Sequence, residues 1–416
     1  MIKLLILLFC ASILGYNIKR RQLISSSTIW VVCYILIFVV CPLFEHRHVF
    51  KNSDLIDIYA LIGIFAFFVG NLFFRQVVLK DRASELGNNY IFPTYQFALK
   101  CFEIISIFVL FLMLLKYGSS IFSSIISGTM TSRKIMRSAE DGSIGMLEMF
   151  GQILVPCLLA VWFSADTPKR RVSALLCLGI YIAYSVMFSF TRIFMISVLA
   201  IILIYEIRNF TLKKQSIILS LGVSCLFIFM VSMNFIRCHG LGKEIDAKTL
   251  FDVDYMFESS DFSSSYYWFD KLLSIEPPYL SFLVYLKPFV FFIPRSIWPD
   301  KPEQSSMQVL KILDPSLVKT GYSTAGYSVI GEGYVMLGEV GIFLFPLIWG
   351  ILCGKLDDGY YRRLHAGVER CYQNVFYYIY AVFIMISAQR GDWCQYLIIV
   401  FWFYYLPLYL MSKKYR

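Results

Sequence analysis

Apolar runs about as long as a membrane crossing recur along this chain, and they leave it few ways to fold. A helix needs about 20 residues to cross roughly 30 Å of hydrocarbon. Read at that length, the sequence predicts spans at about 3–18, 23–43, 55–74, 97–116, 147–165, 172–190, 193–208, 215–236, 327–354, 374–390 and 393–411. The sixth and seventh touch at Phe190-Thr191-Arg192 and read as a tight hairpin, since one helix of that length would overrun the bilayer. Inside lipid, backbone polar groups must be satisfied within the segment, so these runs are helices. The expected fold class is all-α: a polytopic integral membrane protein of about eleven transmembrane helices. Composition agrees, with 58% hydrophobic and 16% charged residues against roughly half and a quarter in soluble domains.

The net charge of +10 raises the question of nucleic acid. The basic residues, however, fall in short loops between apolar runs: Lys19-Arg20-Arg21, Arg75/Lys80/Arg82, Lys169-Arg170-Arg171, Arg208/Lys213/Lys214, Arg362/Arg363/Arg370 and Lys413/Lys414/Arg416. That is the positive-inside pattern, so the partner it implies is membrane lipid and no nucleic acid. The first span carries only Lys3 before it and the basic triplet after it, the reverse of a secretory signal. It is therefore expected to be a retained helix with an outer N-terminus and a cytoplasmic C-terminus for the chain.

On this reading residues 1–416 are one membrane domain with two long outer segments, 117–146 and 237–326. Residues 279–293, apolar but broken by Lys287 and Pro288, are expected to be an interfacial or re-entrant helix. The 11 cysteines are scattered singly, mostly in apolar runs, and no metal spacing appears. Asp252 and Asp254 form a DxD, a pattern that holds a metal and nucleotide diphosphate in many sugar transferases. They lie outside, whereas nucleotide sugars are cytoplasmic, so no metal and no cofactor are expected. There is no Walker loop, GxSxG or HExxH.

Basic residues on the outer side run against the charge bias and become informative. They are Arg133, Lys134 and Arg137 in the first long segment, Arg192 at the hairpin, Arg237 and His239 after the eighth span, Arg295, and Arg390. Singly, each is explained by snorkelling to headgroups. As a set they suit a lipid pyrophosphate, because the guanidinium fork matches phosphate oxygens. Around Arg295, Pro294, Pro299 and Pro302 prevent regular helix and stiffen a turn bearing Arg295, Trp298, Asp300 and Lys301. Glu332 is a carboxylate at the membrane boundary, either an ion-pair partner or an acid/base group. Tyr267, Trp268, Trp298 and Tyr334 offer faces for sugar contacts; packing is the plain alternative.

Two stretches, Pro294-Arg295-Ser296-Ile297-Trp298-Pro299-Asp300-Lys301-Pro302 and Gly331-Glu332-Gly333-Tyr334-Val335-Met336-Leu337-Gly338, together with Thr191-Arg192, resemble the bacterial O-antigen and capsule polymerases of the Wzy type. The resemblance extends to the overall topology. It implies a helical bundle akin to the GT-C membrane glycosyltransferases, with a large extracytoplasmic loop. It also implies a metal-independent transferase at the periplasmic face of the inner membrane, joining undecaprenyl-pyrophosphate-linked oligosaccharide repeat units. A chain-length regulator protein is a further partner the family brings. Under that expectation Arg192, Arg237, Arg295, Arg133, Arg137 and Arg390 bind pyrophosphate. Glu332 is first choice for the base, His239 second, and Arg295 assists catalysis. The competing readings are an O-antigen ligase and a lipid-linked oligosaccharide transporter or flippase.

Overall fold

The computed structural model describes residues 1–44, 49–73, 92–117, 150–185, 192–239, 261–275, 280–290, 292–293, 297–319, 326–368, 370–391 and 393–413. Among them there is no strand; the protein is all-helical. In chain order the helices are α1 (Ile2–Lys19), α2 (Ser26–Phe44, with a π-helical stretch at Leu36–Val40), α3 (Ser53–Phe73), α4 (Tyr95–Tyr117), α5 (Leu154–Ser164), α6 (Pro168–Tyr184), α7 (Arg192–Ile207) and α8 (Leu212–His239). Then come α9 (Asp261–Leu273), a 3-10 turn (Phe282–Leu286) running into one α turn (Lys287–Val290), α10 (Ser305–Leu313), α11 (Pro315–Lys319), α12 (Ser328–Leu337) and α13 (Glu339–His365). The chain ends with α14 (Tyr372–Ile379), α15 (Met385–Arg390), α16 (Trp393–Ile398) and α17 (Leu406–Lys413), π-helical at Tyr380–Ile384 and Ile399–Tyr405.

Among the described residues, five helices are long and apolar enough to cross a membrane: α1, α2, α3, α4 and α13. The first four match the expected spans 3–18, 23–43, 55–74 and 97–116, while α13 overlaps only the later part of 327–354. The other six expected spans fall on helices of different character. α5, α6 and α7 have 11, 17 and 16 residues, α8 is described with few of its side chains, and the last two runs are interrupted by π segments. The span expected at 327–354 is two helices, because Gly338 (φ 64°, ψ −145°) turns the chain where an L side chain would be strained. The crossing helix therefore begins at Glu339. Residues 279–293 are not one helix: Pro288, at the second position of the α turn, has no N–H to continue the 3-10 pattern.

The chain divides into two compact units. The first, drawn from 1–86, 251–367 and 380–398, has α3 against α13 at its centre. These helices meet backbone to backbone: a Cβ on Gly70 would overlap the Leu347 carbonyl, and one on Gly350 the Phe67 carbonyl. Small residues permit such approach where lipid tails give helices no hydrophobic reason to associate. Asn71 Nδ2 donates to the Gly350 carbonyl at 3.3 Å. Trp30 of α2 stacks on Phe67 of α3 with ring centroids 3.8 Å apart. At the start of α2, Asp357 of α13 accepts from the Ser26 and Ser27 amides and hydroxyls, and Asn17 of α1 donates to Ser25, Ser27 and Thr28. A carboxylate at a helix N-terminus satisfies its orphan donors and its partial positive charge.

The second unit comprises 87–250, 368–379 and 399–416. In it α4 packs on α5, α5 on α6 and α7 on α8. Glu206 of α7 links two neighbours, accepting from Trp162 Nε1 at 2.9 Å and pairing with Arg171 at 3.0 Å. Asp166, in the loop before α6, is exposed; its hydrogen bond from Arg170 holds its carboxyl below the usual range.

Candidate functional site

In α12, Glu332 sits between two glycines that let its helix lie close to others. A Cβ on Gly333 would overlap the Gly341 carbonyl of α13, and one on Gly331 would stand 3.1 Å from Phe269 of α9. Pressed in this way, α12 is buried along Ser328–Gly333, and Glu332 has no exposed surface. Two hydroxyls face the carboxylate: Tyr285 donates to Oε1 at 3.4 Å and Ser305 of α10 at 3.5 Å. Ordinary O–H···O bonds are shorter, about 2.7 Å.

An aromatic wall stands beside it. Tyr285 stacks on Trp393 of α16 (centroids 5.1 Å apart, 25° between planes), and Trp393 meets Trp349 of α13 edge-on at 5.7 Å. Trp393 Nε1 is buried and has no hydrogen-bond partner among the described residues. A buried N–H of that kind is costly unless something else accepts from it.

The entrance to α12 is strained. Ser328 has φ 67°, a left-handed conformation for a residue with a Cβ, and its Oγ accepts from the Gly331 amide at 3.3 Å. Gly391, also left-handed (φ 82°), packs on it: a Cβ there would be 3.3 Å from the Ser328 carbonyl oxygen. Thus the end of α15, where Arg390 lies, abuts the start of the helix that carries Glu332.

Of the other expected site residues, Arg133, Arg137 and Arg295 lie outside the described residues, as do Lys134, Asp252 and Asp254. Arg192 opens α7, Arg237 and His239 close α8, and Arg390 closes α15; their side chains are outside the described set. Tyr267 and the buried Trp268 share Lys271, whose Nζ stands 4.7 and 5.4 Å from their rings. Their neighbour Tyr266 is buried, and that burial, with Asp57, Asp270 and Asp54 nearby, pushes its phenol up. Tyr334 is half-buried, its ring near Tyr59 and Phe269. Trp298 is half-buried in a turn, its carbonyl accepting from the Lys301 amide at 3.2 Å. The structure thus joins Glu332 with the Arg390–Gly391 corner, and adds Tyr285, Ser305 and Trp393, which the sequence reading passed over. The signals for two of them were present: a hydroxyl inside the apolar 279–293 run, and a tryptophan just beyond Arg390-Gly391-Asp392.

Among the described residues no group of three or more His, Cys, Asp or Glu could hold a metal ion. A family model described as a domain of unknown function (DUF8712) matches residues 265–414, a stretch that contains Glu332, Tyr285, Ser305 and Trp393. No curated protein and no solved structure matches the chain.

Proposed function

We propose that the chain is a membrane glycosyltransferase that joins lipid-linked oligosaccharide repeat units, as the O-antigen and capsule polymerases do. The observation that supports this reading best is Glu332, a fully buried carboxylate that faces the Tyr285 and Ser305 hydroxyls and has an aromatic wall at its side. It lies in the very stretch that resembles those polymerases. Carboxylate, hydroxyls and flat rings are what an acceptor sugar needs: a base for one hydroxyl, hydrogen bonds for others, and a face to stack on.

In the proposed step, the acceptor hydroxyl gives its proton to Glu332 as its oxygen bonds to the donor's anomeric carbon. The bond from that carbon to the pyrophosphate oxygen breaks, and undecaprenyl pyrophosphate leaves with the electron pair. Negative charge grows on the leaving group, so arginines near it stabilise the transition state more than the ground state. From the resemblance, Arg192, Arg237 and Arg295 are the first candidates for that task, and Arg390, Arg133 and Arg137 the next. On this reading the site opens to the periplasmic side of the inner membrane.

The test is purified protein in nanodiscs with a defined undecaprenyl-pyrophosphate-linked repeat unit. A ladder of longer glycans is expected from the wild type, and a loss of at least about 100-fold in rate from Glu332→Gln, given the usual worth of a general base. If Glu332→Gln forms the ladder at the wild-type rate, Glu332 is not the base. If the wild type yields no ladder until a lipid A core acceptor is added, the enzyme is a ligase.

A further inference from the structure

The short apolar element that carries Tyr285 has a second face that the proposed chemistry leaves unused. Over the 3-10 turn and the α turn after it, Val284 and Pro288 are buried and Tyr285 reaches inward to Glu332. Facing the other way, Phe282, Leu283, Leu286, Phe289 and Phe292 are between 46% and 63% exposed, and Ile297 is 75% exposed. Five large apolar side chains bared within eleven residues form a patch of the kind that marks an interaction surface.

Its position says what covers it. Tyr285 lies against Phe345 (ring centroids 6.4 Å apart), six residues into the crossing helix α13, or about 9 Å from its Glu339 end at 1.5 Å per residue. On that same end of α13, Val340 and Phe343 are exposed as well, so the two apolar surfaces lie at one level of the helix. The element is held there at both ends. Leu280 N–H donates to the Val335 carbonyl of α12 at 3.1 Å, and the Lys287–Val290 turn packs on α16. Beyond it the chain turns polar at Pro299, Asp300 and Lys301, and Lys301 Nζ donates back to the Ile293 carbonyl at 2.9 Å. Nine residues of 3-10 and α helix rise roughly 16 Å, half the hydrocarbon thickness, which is too short to cross.

We propose that residues 282–290, with Phe292 and Ile297, form a foot lying in the membrane interface beside the Glu339 end of α13, and that the bilayer is the partner of its exposed face. Phenylalanine and leucine on one side and a polar exit on the other suit burial of about 5–10 Å at the headgroup–acyl boundary. This inference rests on α13 crossing the membrane; it does not rest on the reaction proposed for Glu332.

The experiment uses the full chain in phospholipid nanodiscs with p-benzoylphenylalanine in place of Leu283 or Phe289. Ile348, exposed on α13, is the bilayer-facing reference position, and Ser316, exposed on α11, the aqueous one. After irradiation, mass spectrometry should find phospholipid adducts at 283 and 289 as at 348, and none at 316. Crosslinks from 283 and 289 to a second copy or to another protein would overturn the proposal. So would the absence of lipid adducts at these positions while 348 labels. Repeating the labelling in Glu332→Gln separates the two proposals: the adducts persist there whether or not the chemistry is lost.

Discussion

Two fully buried carboxylates in the first unit have opposite surroundings. Asp357 accepts hydrogen bonds at 2.6, 2.7, 2.8 and 3.3 Å from the Ser26 and Ser27 amides and hydroxyls. Glu332 has hydroxyls at 3.4 and 3.5 Å. The first pattern is that of a group whose charge is spent on holding a helix start; the second sets a carboxylate beside hydroxyls from two other elements. Hydrogen bonds to charged groups contribute about 1.5–3 kcal/mol each, and a buried donor left without its acceptor costs a similar amount. Asp357→Asn should therefore destabilise the protein by about 2–4 kcal/mol, seen as a lower melting temperature in detergent. Glu332→Gln keeps the side chain's shape and should lose turnover in the ladder assay. If Asp357→Asn melted like wild type, the α1–α2–α13 polar contact would not be what fastens the start of α2.

Among the elements, the α12–α13 pair has the largest consequence. As one continuous helix, residues 327–354 would carry Glu332 along the crossing direction. Broken at Gly338, α12 instead folds against α13 at Gly333 and Gly341 and places Glu332 beside the 282–290 element and α10. Backbone at φ 64° and ψ −145° is close to a region open essentially to glycine alone. Gly338→Ala is expected to cost about 1–3 kcal/mol and to lower turnover more than Gly15→Ala, where the space around the Cβ is open. Thermal unfolding and the ladder assay on the same preparations read both effects; equal stability in the two variants would remove the strain argument. Among the described residues, π-helical stretches at Leu36–Val40, Tyr380–Ile384 and Ile399–Tyr405 interrupt other apolar runs without ending the helix. Such bulges shift a helix's faces by part of a turn and are frequent at functional sites.

For the whole molecule, orientation has the largest effect on function. The charge bias predicts a cytoplasmic side for Arg362 and Arg363 in the last turn of α13 and for Arg370 beyond it, and the opposite side for Glu339 and the element at 282–290. Alkaline phosphatase fused after Gln304 should then be active in a bacterial host, and the same fusion after Ala366 inactive. The reverse pattern would put Glu332 within reach of nucleotide sugars and remove the reason for a lipid pyrophosphate donor.

What the sequence determined by itself is what depends on local composition and length. Four of the five candidate crossing helices, α1 to α4, emerge within a few residues of their expected ends, because about 20 apolar residues can hardly do anything else in lipid. Glu332 stood out in the sequence too, as a charge at a boundary where charge is costly. The roles of Tyr285, Ser305 and Trp393 were not legible there, nor the capping of α2 by Asp357, more than three hundred residues away in sequence. Each depends on which helix faces which, and small residues such as Gly70, Gly333, Gly341 and Gly350 decide that by letting backbones touch. A one-residue glycine break has almost no signature in hydropathy, yet Gly338 divides an expected span and turns Glu332 toward its neighbours. Burial is written in the sequence residue by residue; convergence belongs to the packed structure alone.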